Sequence, residues 1–217
     1  MPEDLQAIRY NAFYNCSNLR EVINLEGNTS ITEIEESAFA DTSWEKFQIS
    51  KGNGFAVVDK RLFAYGGKEK KVSVPDGVGE IIGEAFSRMD TFTEVTIPEN
   101  VNKIGNLAFS GCANLEKVTF EGSGPEKISE ETFSECVSLK EISIPDSVKV
   151  IDRGAFYDCL NLEKVVLPKG IKHIEKDAFI GCYKIKDVEG ASELDGKMIK
   201  EVFAGTDWYE NVYNSNK

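Results

Sequence analysis

No apolar run in the 217-residue chain approaches the roughly 20 residues that a membrane-crossing helix needs. The opening Met1-Pro2-Glu3-Asp4 has neither the basic start nor the apolar stretch of a secretion signal. The chain therefore reads as cytosolic, or as one whose signal has been removed. Positive charge is in deficit: 25 Lys and Arg stand against 37 Asp and Glu, a net charge of −12. Such a surface repels phosphate backbones and anionic membranes, so neither nucleic acid nor membrane insertion is expected. Charge of this size also serves plainly as a solubility device.

Histidine occurs once, at His173. Histidine-based nucleophilic catalysis would rest on that residue alone, with no Ser or Cys motif beside it. The five cysteines contain no Cys-x-x-Cys pair, and no histidine lies at zinc-ligand spacing. Gly52-Asn53-Gly54 and Gly122-Ser123-Gly124 match neither a phosphate loop nor a dinucleotide fingerprint, and read as turns. Asn28-Thr29-Ser30 is a glycosylation sequon, meaningful only in a eukaryotic secretory path. The sequence thus points to no catalytic residue, no metal and no cofactor.

What the chain does have is a repeat. Phe13, Phe39, Phe63, Phe86, Phe109, Phe133, Phe156, Phe179 and Phe203 are separated by 26, 24, 23, 23, 24, 23, 23 and 24 residues. Alanine precedes six of them; Leu62, Thr132 and Val202 precede the others. Five residues before the phenylalanine stands an aliphatic residue: Ile8, Ile34, Ile81, Ile104, Ile128, Ile151, Ile174 and, more loosely, Met198. Six after it come Leu19, Phe92, Leu115, Leu139, Leu162 and Ile185. Nine after it come Val22, Val72, Val95, Val118, Ile142, Val165 and Val188. Eleven after it come Val74, Ile97, Phe120, Ile144 and Leu167, often followed by proline. In the second repeat, Trp44, Phe47 and Ile49 are read into the strand positions.

Each unit therefore reads as a short strand, a proline turn, a second extended piece and a tight helical turn. The two-residue alternation of Val118-Thr119-Phe120 and Ile142-Ser143-Ile144 turns one strand face inward. Proline ends the strand because it has no amide proton for the ladder. Phenylalanine should plug the core between two walls. One unit has too few apolar side chains to offset its own ordering, so stability has to be shared between stacked neighbours.

The unit Ile-xx-Ile-Gly-xx-Ala-Phe-xx-Cys-xx-Leu-xx-Val-x-Ile-Pro resembles the BspA-type leucine-rich repeat. Ile104-Gly105 through Phe120 and Ile151 through Pro168 match it closely. The resemblance spans nearly the whole chain. It implies an α/β repeat solenoid, a right-handed superhelix of about nine rungs of ~23 residues, with a parallel β-sheet on the concave face. It also implies a cell-surface or secreted bacterial protein with an adhesion or protein-binding role, and no shared catalytic residues. Residues 1–217 read as one solenoid, with an atypical repeat at about 50–75 and a C-terminal cap at about 191–217. In the atypical repeat, Asp59-xx-Leu62-Phe63-x-Tyr65 resembles a family variant shaped like a small hairpin, so a local bulge or hairpin is expected there. The first repeat starts halfway through a rung, and reads as a truncation or a short cap. Phe203-Ala-Gly-Thr-Asp-Trp208 echoes Phe39-Ala-Asp-Thr-Ser-Trp44, and Trp208, Tyr209 and Tyr213 are expected to fold over the last rung.

All five cysteines (Cys16, Cys112, Cys136, Cys159, Cys182) stand three residues after a repeat phenylalanine. They are expected to form a column of free, buried thiols. His173, between Ile171 and Ile174, is expected to face solvent. Eight residues after the phenylalanine come Glu94, Lys117, Glu141, Lys164 and Asp187, alternating in sign. Ten after it come Ser73, Thr96, Thr119, Ser143 and Val166. Glu94, Thr96, Lys117, Thr119, Glu141, Ser143, Lys164 and Val166 are the expected binding residues of the concave wall. Strand pairing and solubility account for the same pattern, since an exposed ion pair is worth only about 0–1 kcal/mol. The wall also lacks the aromatic cluster of a strong hot spot, which suits weak polar contact reinforced by many copies. The expected partner is a host or matrix protein. A structural spacer in a larger adhesin and a cytosolic interaction scaffold are the alternatives, and the oligomeric state is left open.

Overall fold

The structure, a computed structural model, describes residues 1–216. In chain order the elements are β1 (Ala7–Ile8), β2 (Glu33–Ile34), α1 (Ser43–Lys51), β3 (Phe55–Val58), β4 (Arg61–Tyr65), β5 (Lys71–Ser73), β6 (Glu80–Ile81), β7 (Glu94–Ile97) and β8 (Lys103–Ile104). They continue with β9 (Lys117–Phe120), β10 (Lys127–Ile128), β11 (Glu141–Ser143), β12 (Val150–Ile151), β13 (Lys164–Val166), β14 (His173–Ile174), β15 (Asp187–Glu189) and α2 (Gly196–Phe203). The strands form two parallel walls. One holds β5-β7-β9 and β11-β13-β15; the other holds β1-β2, β4-β6-β8 and β10-β12-β14. Eight short strands make about eight turns of solenoid, one fewer than the phenylalanines suggest. The ninth, Phe203, ends α2 instead of following a strand.

The phenylalanines form the internal file that the spacing predicts. Ring centroids from Phe86 through Phe109, Phe133, Phe156 and Phe179 lie 4.7, 5.3, 5.6 and 5.0 Å apart, with interplanar angles of 13° or less. Those separations match the ~4.8 Å rise between neighbouring strands, so ring stacking and backbone pairing share one period.

A third column of hydrogen bonds runs through the phenylalanine turns. Phe86, Phe109, Phe133 and Phe156 each donate their amide to the carbonyl just before the next rung's phenylalanine, at 2.8–2.9 Å. The residues two before and two after follow suit, as Leu107 N to Glu130 O (3.0 Å) and Glu135 N to Tyr157 O show. Those flanking residues stand in the left-handed region, for example Leu107 at φ 58° and Glu135 at φ 57°. The unfavourable backbone geometry turns successive amides toward the next rung, where buried polar groups must find partners.

Of the bulge or hairpin that the family resemblance implies, the atypical repeat forms a hairpin. β3 pairs antiparallel with β4, with a register shift between Ala56 and Val57. Its two-residue turn, Asp59 and Lys60, has φ of 49° and 63°, the geometry that matches strand twist in a two-residue loop. The hairpin divides the core. Ala56 and Phe63 pack with the first rungs around Phe39 and Trp44, while Leu62 and Tyr65 pack with the rungs after Phe86.

Two expectations need correction. Trp44, Phe47 and Ile49 are not strand residues: they lie in α1, and Phe47 is exposed. Thr42 initiates that helix, accepting from Glu45 N at 3.0 Å, and Glu45 in turn accepts from Asp41 N at 3.1 Å. Met198 likewise lies in α2. The echoed segments share one device. Thr42 and Thr206 are both buried and donate to Phe39 O and Phe203 O at 2.8 Å; Trp44 N and Trp208 N donate to Leu19 O and Ile185 O, equivalent points of the preceding rung. Trp208 then packs edge-on against Phe203, with 5.5 Å between ring centroids.

Four cysteines occupy the expected buried column, and all five are free thiols. Cys112, Cys136, Cys159 and Cys182 donate to the carbonyls of Phe86, Phe109, Phe133 and Phe156 one rung earlier, at 3.0–3.2 Å. Cys16 departs from the column: it is exposed, and among the described residues no earlier rung packs over its turn.

Both walls are interrupted at one level. No ladder joins β8 to β10 or β9 to β11. The intervening Gly122-Ser123-Gly124-Pro125 carries a left-handed Gly124 (φ 73°), and Pro125 can donate no amide. Across this break the file and the turn column continue, helped by Ser129 Oγ to Ile104 O at 2.6 Å.

Candidate functional site

The long-strand wall brings the expected residues onto one face, in two blocks. In the first, β5-β7-β9 set Lys71 beside Glu94 beside Lys117, and Ser73 beside Thr96 beside Thr119. In the second, β11-β13-β15 set Glu141 beside Lys164 beside Asp187, and Ser143 beside Val166 beside Glu189. The sign alternation is therefore real in three dimensions within each block. Inward neighbours such as Val95, Val165 and Ile142 are buried, which holds the charged residues outward.

A second column was missed at the sequence level. One position earlier stand Glu116, Lys140, Glu163 and Lys186, also alternating in sign. With the first column they make a checkerboard, because each rung pairs opposite signs side by side: Glu116-Lys117, Lys140-Glu141, Glu163-Lys164 and Lys186-Asp187. The signal was legible in the same phenylalanine register, seven residues on. These side chains line one shallow groove of about 470 Å³.

The checkerboard is unevenly paired. Lys71 meets Glu94 at 2.9 Å, and Lys164 meets Asp187 at 3.5 Å and also bonds Glu189. Glu189 holds the Lys164 ammonium above its ordinary range through that hydrogen bond, and Lys186 holds the Glu163 carboxyl below its own. At the break, Glu116, Lys117, Lys140 and Glu141 form no ion pair among the described residues.

The short-strand wall carries a larger groove, about 700 Å³. Most of its charges are already paired, Arg9 with Glu33 at 2.7 Å, Lys103 with Glu80 at 2.6 Å and Lys127 with Asp152 at 2.8 Å, while Glu36 and Glu126 form no ion pair among the described residues. Greater size does not favour it, since those ion pairs would have to be disrupted before a charged partner could use them. His173 sits on the same wall, exposed as expected, with Nε2 3.0 Å from Glu175 Oε1.

Sequence reasoning also passed over the turn edge of the last rungs. Tyr157, Leu160, Ile180 and Tyr183 are exposed there, Tyr183 by 65%. The equivalent places on earlier rungs include Ser110 and Ser134, whose hydroxyls meet at 2.8 Å. The long-strand wall itself has no such aromatic cluster.

Comparison with known proteins agrees with the repeat geometry. The BspA type Leucine rich repeat region matches residues 1–116 and 56–186, in six copies. A leucine rich cell surface protein from Faecalibacterium prausnitzii A2-165 is 25% identical, with a TM-score of 0.63 over 87% of this chain and 52% of that one. The Leucine Rich Repeat protein of T. pallidum is 23% identical, with a TM-score of 0.53 over 68% of this chain and 90% of that one. Pneumococcal vaccine antigen PcpA is 19% identical, with a TM-score of 0.56 over 82% of this chain and 53% of that one. The chain thus spans about half of the Faecalibacterium and pneumococcal structures, and the likeness to the latter and to the T. pallidum protein is one of fold. No curated protein matches the chain. The register of phenylalanine, isoleucine and cysteine, the parallel walls and the matching repeats lead to one assignment: the chain belongs to the BspA-type leucine-rich repeat family.

Proposed function

We infer that this chain is a non-enzymatic protein-binding module of a surface or secreted bacterial protein, engaging its partner through the long-strand wall. Leucine-rich repeat proteins are generally protein-interaction modules, and the Faecalibacterium structure is described as a cell surface protein. The observation that carries the reading is the two-column charge checkerboard, whose central members Glu116, Lys117, Lys140 and Glu141 form no ion pair among the described residues. Uncommitted charges held at fixed spacing by a rigid sheet favour a partner of complementary pattern and set its register.

The test is binding to a panel of purified matrix and host surface proteins. Reversal of Lys117 and Lys164 to Glu is expected to abolish the strongest interaction while the circular dichroism melting curve stays in place. A partner that binds both forms equally sinks the assignment of this wall. The exposed Tyr157, Leu160, Ile180 and Tyr183 favour a second reading, in which aromatic anchors on the turn edge make the contact. In that case Tyr183→Ser removes binding and the lysine reversals do not.

A further inference from the structure

The checkerboard has a symmetry that a foreign partner would not require. Read along the wall, the outward ladder residues are Lys71, Glu94 and Lys117, then the break, then Glu141, Lys164 and Asp187. The signs run plus, minus, plus, then minus, plus, minus. The second half is the first half reversed in order and inverted in sign. We propose that the long-strand wall is a self-recognition surface, and that its partner is a second copy of this chain.

The geometry fixes how two copies would meet. A twofold axis lying parallel to the strands, between β9 and β11, turns one wall onto the other with its rungs in opposite order. β9 then lies on β11 of the second copy, β7 on β13 and β5 on β15. Lys117 faces Glu141, Glu94 faces Lys164 and Lys71 faces Asp187. By symmetry each pairing occurs twice, as an isologous contact demands. In the flanking column Glu116 faces Lys140. The outermost flanking pair, Lys70 against Lys186, is like-charged, and Lys186 is already bonded to Glu163.

Three features favour this occupant. Of the five wall charges that form no ion pair among the described residues, the axis brings four together, Lys117 with Glu141 and Glu116 with Lys140; Lys70 is the fifth. The six ladder residues sum to zero charge in a chain whose total is −12, so the wall itself adds little to the repulsion between two copies. The axis also passes through the one level where both walls lose their ladders, so each three-stranded block meets its counterpart whole.

Six strands at ~4.8 Å span only about 24 Å of wall. The contact is therefore small, wet and salt-sensitive, and useful when many copies stand on facing surfaces. This inference rests on the reading of the wall as a binding face and adds the identity of the partner.

Sedimentation velocity of the full chain over a concentration series tests it. At about 20 mM salt the weight-average sedimentation coefficient should rise with concentration, and at about 500 mM the rise should vanish. Lys117→Glu should weaken self-association by on the order of tenfold, because it places like charges opposite each other twice. Glu141→Lys should do the same, and the double variant Lys117→Glu/Glu141→Lys should restore it. Mixing the two single variants should give association that neither shows alone. Absence of low-salt association up to about 1 mM overturns the proposal, being weaker than any transient contact considered. So does a double variant that stays as weak as the singles. If self-association is absent while the Lys117 and Lys164 reversals still abolish matrix binding, the wall binds foreign proteins and only this inference falls. If self-association follows the charge pattern and no matrix protein binds, the foreign-partner reading falls instead.

Discussion

Replacing Phe133 by alanine probes the junction on which the long stack depends. The ring is fully buried, with stacked neighbours 5.3 Å away on one side and 5.6 Å on the other. Phenylalanine-to-alanine changes in such settings cost about 3–5 kcal/mol, and contacts on both faces put this site near the top of that range. Phe13, half-buried with one stacked neighbour, should cost about 1–2 kcal/mol on the same reasoning. The location adds a second effect. Phe133 lies on the carboxyl-side rung of the interrupted level, where the file and the turn column carry the coupling that ladders supply elsewhere. Its loss should let residues 66–120 and 127–203 open separately. Phe156→Ala, flanked by continuous ladders, should destabilise as much without separating them. Urea unfolding followed by circular dichroism gives the totals, and native-state hydrogen exchange gives the opening free energy of each segment. A Phe133→Ala chain that loses less than about 2 kcal/mol, or whose two segments keep a common opening energy, would refute the reasoning.

Other outcomes follow from the same geometry. A thiol reagent should modify Cys16 alone in the native chain and all five cysteines after denaturation; burial pushes the Cys112 thiol up to about 12 and those of Cys136 and Cys159 well above the ordinary range. A second fast-reacting cysteine would contradict the column. Burial raises the Glu45 carboxyl from 4.5 to about 7, so the folded chain binds that proton more tightly than the unfolded chain does. Its contribution to stability is full below pH 4.5 and is lost as pH rises to about 7, and Glu45→Gln should flatten the urea midpoint across that window. Lys60→Gly should raise stability by about 0.5–1 kcal/mol, because it removes a lysine from the left-handed region at the hairpin tip; a lower melting temperature would argue against strain there.

The parts of the fold that repeat were readable from residue spacing. The phenylalanine file, the alternating strands and the buried cysteines from Cys112 onward follow from register, and the hairpin at Asp59-Lys60 from the resemblance of Asp59-xx-Leu62-Phe63-x-Tyr65 to a family variant. The helix α1 was misread because it carries no helical stripe of apolar residues: Trp44 is buried and Phe47 exposed three positions on. Its existence depends on capping by Thr42 and Glu45, a local signal that the strand register overrode. The ninth rung failed for a related reason, since Asp195 caps Lys197 N and Met198 N and starts α2. Of the candidate face, the Glu94-to-Asp187 column follows from the strand alternation; the Glu116-to-Lys186 column keeps the same register one position earlier, just before the strands begin, where alternation within the strand does not point to it. The interruption at Gly122–Pro125 was read as a turn without its consequence for both ladders.

Linear arrays of like units lose structure from their ends, one unit after another. The β3–β4 hairpin changes that progression. Ala56 and Phe63 complete one interior while Leu62 and Tyr65 complete the other, and Arg61 Nη2 reaches back to Ile31 O at 2.7 Å. Melting that starts at the amino terminus therefore meets a finished boundary before it reaches the rungs that present the charged wall. Proteolytic cleavage or mutation within the first fifty or so residues should leave the charged wall intact, so selection can alter that segment independently of the proposed recognition surface.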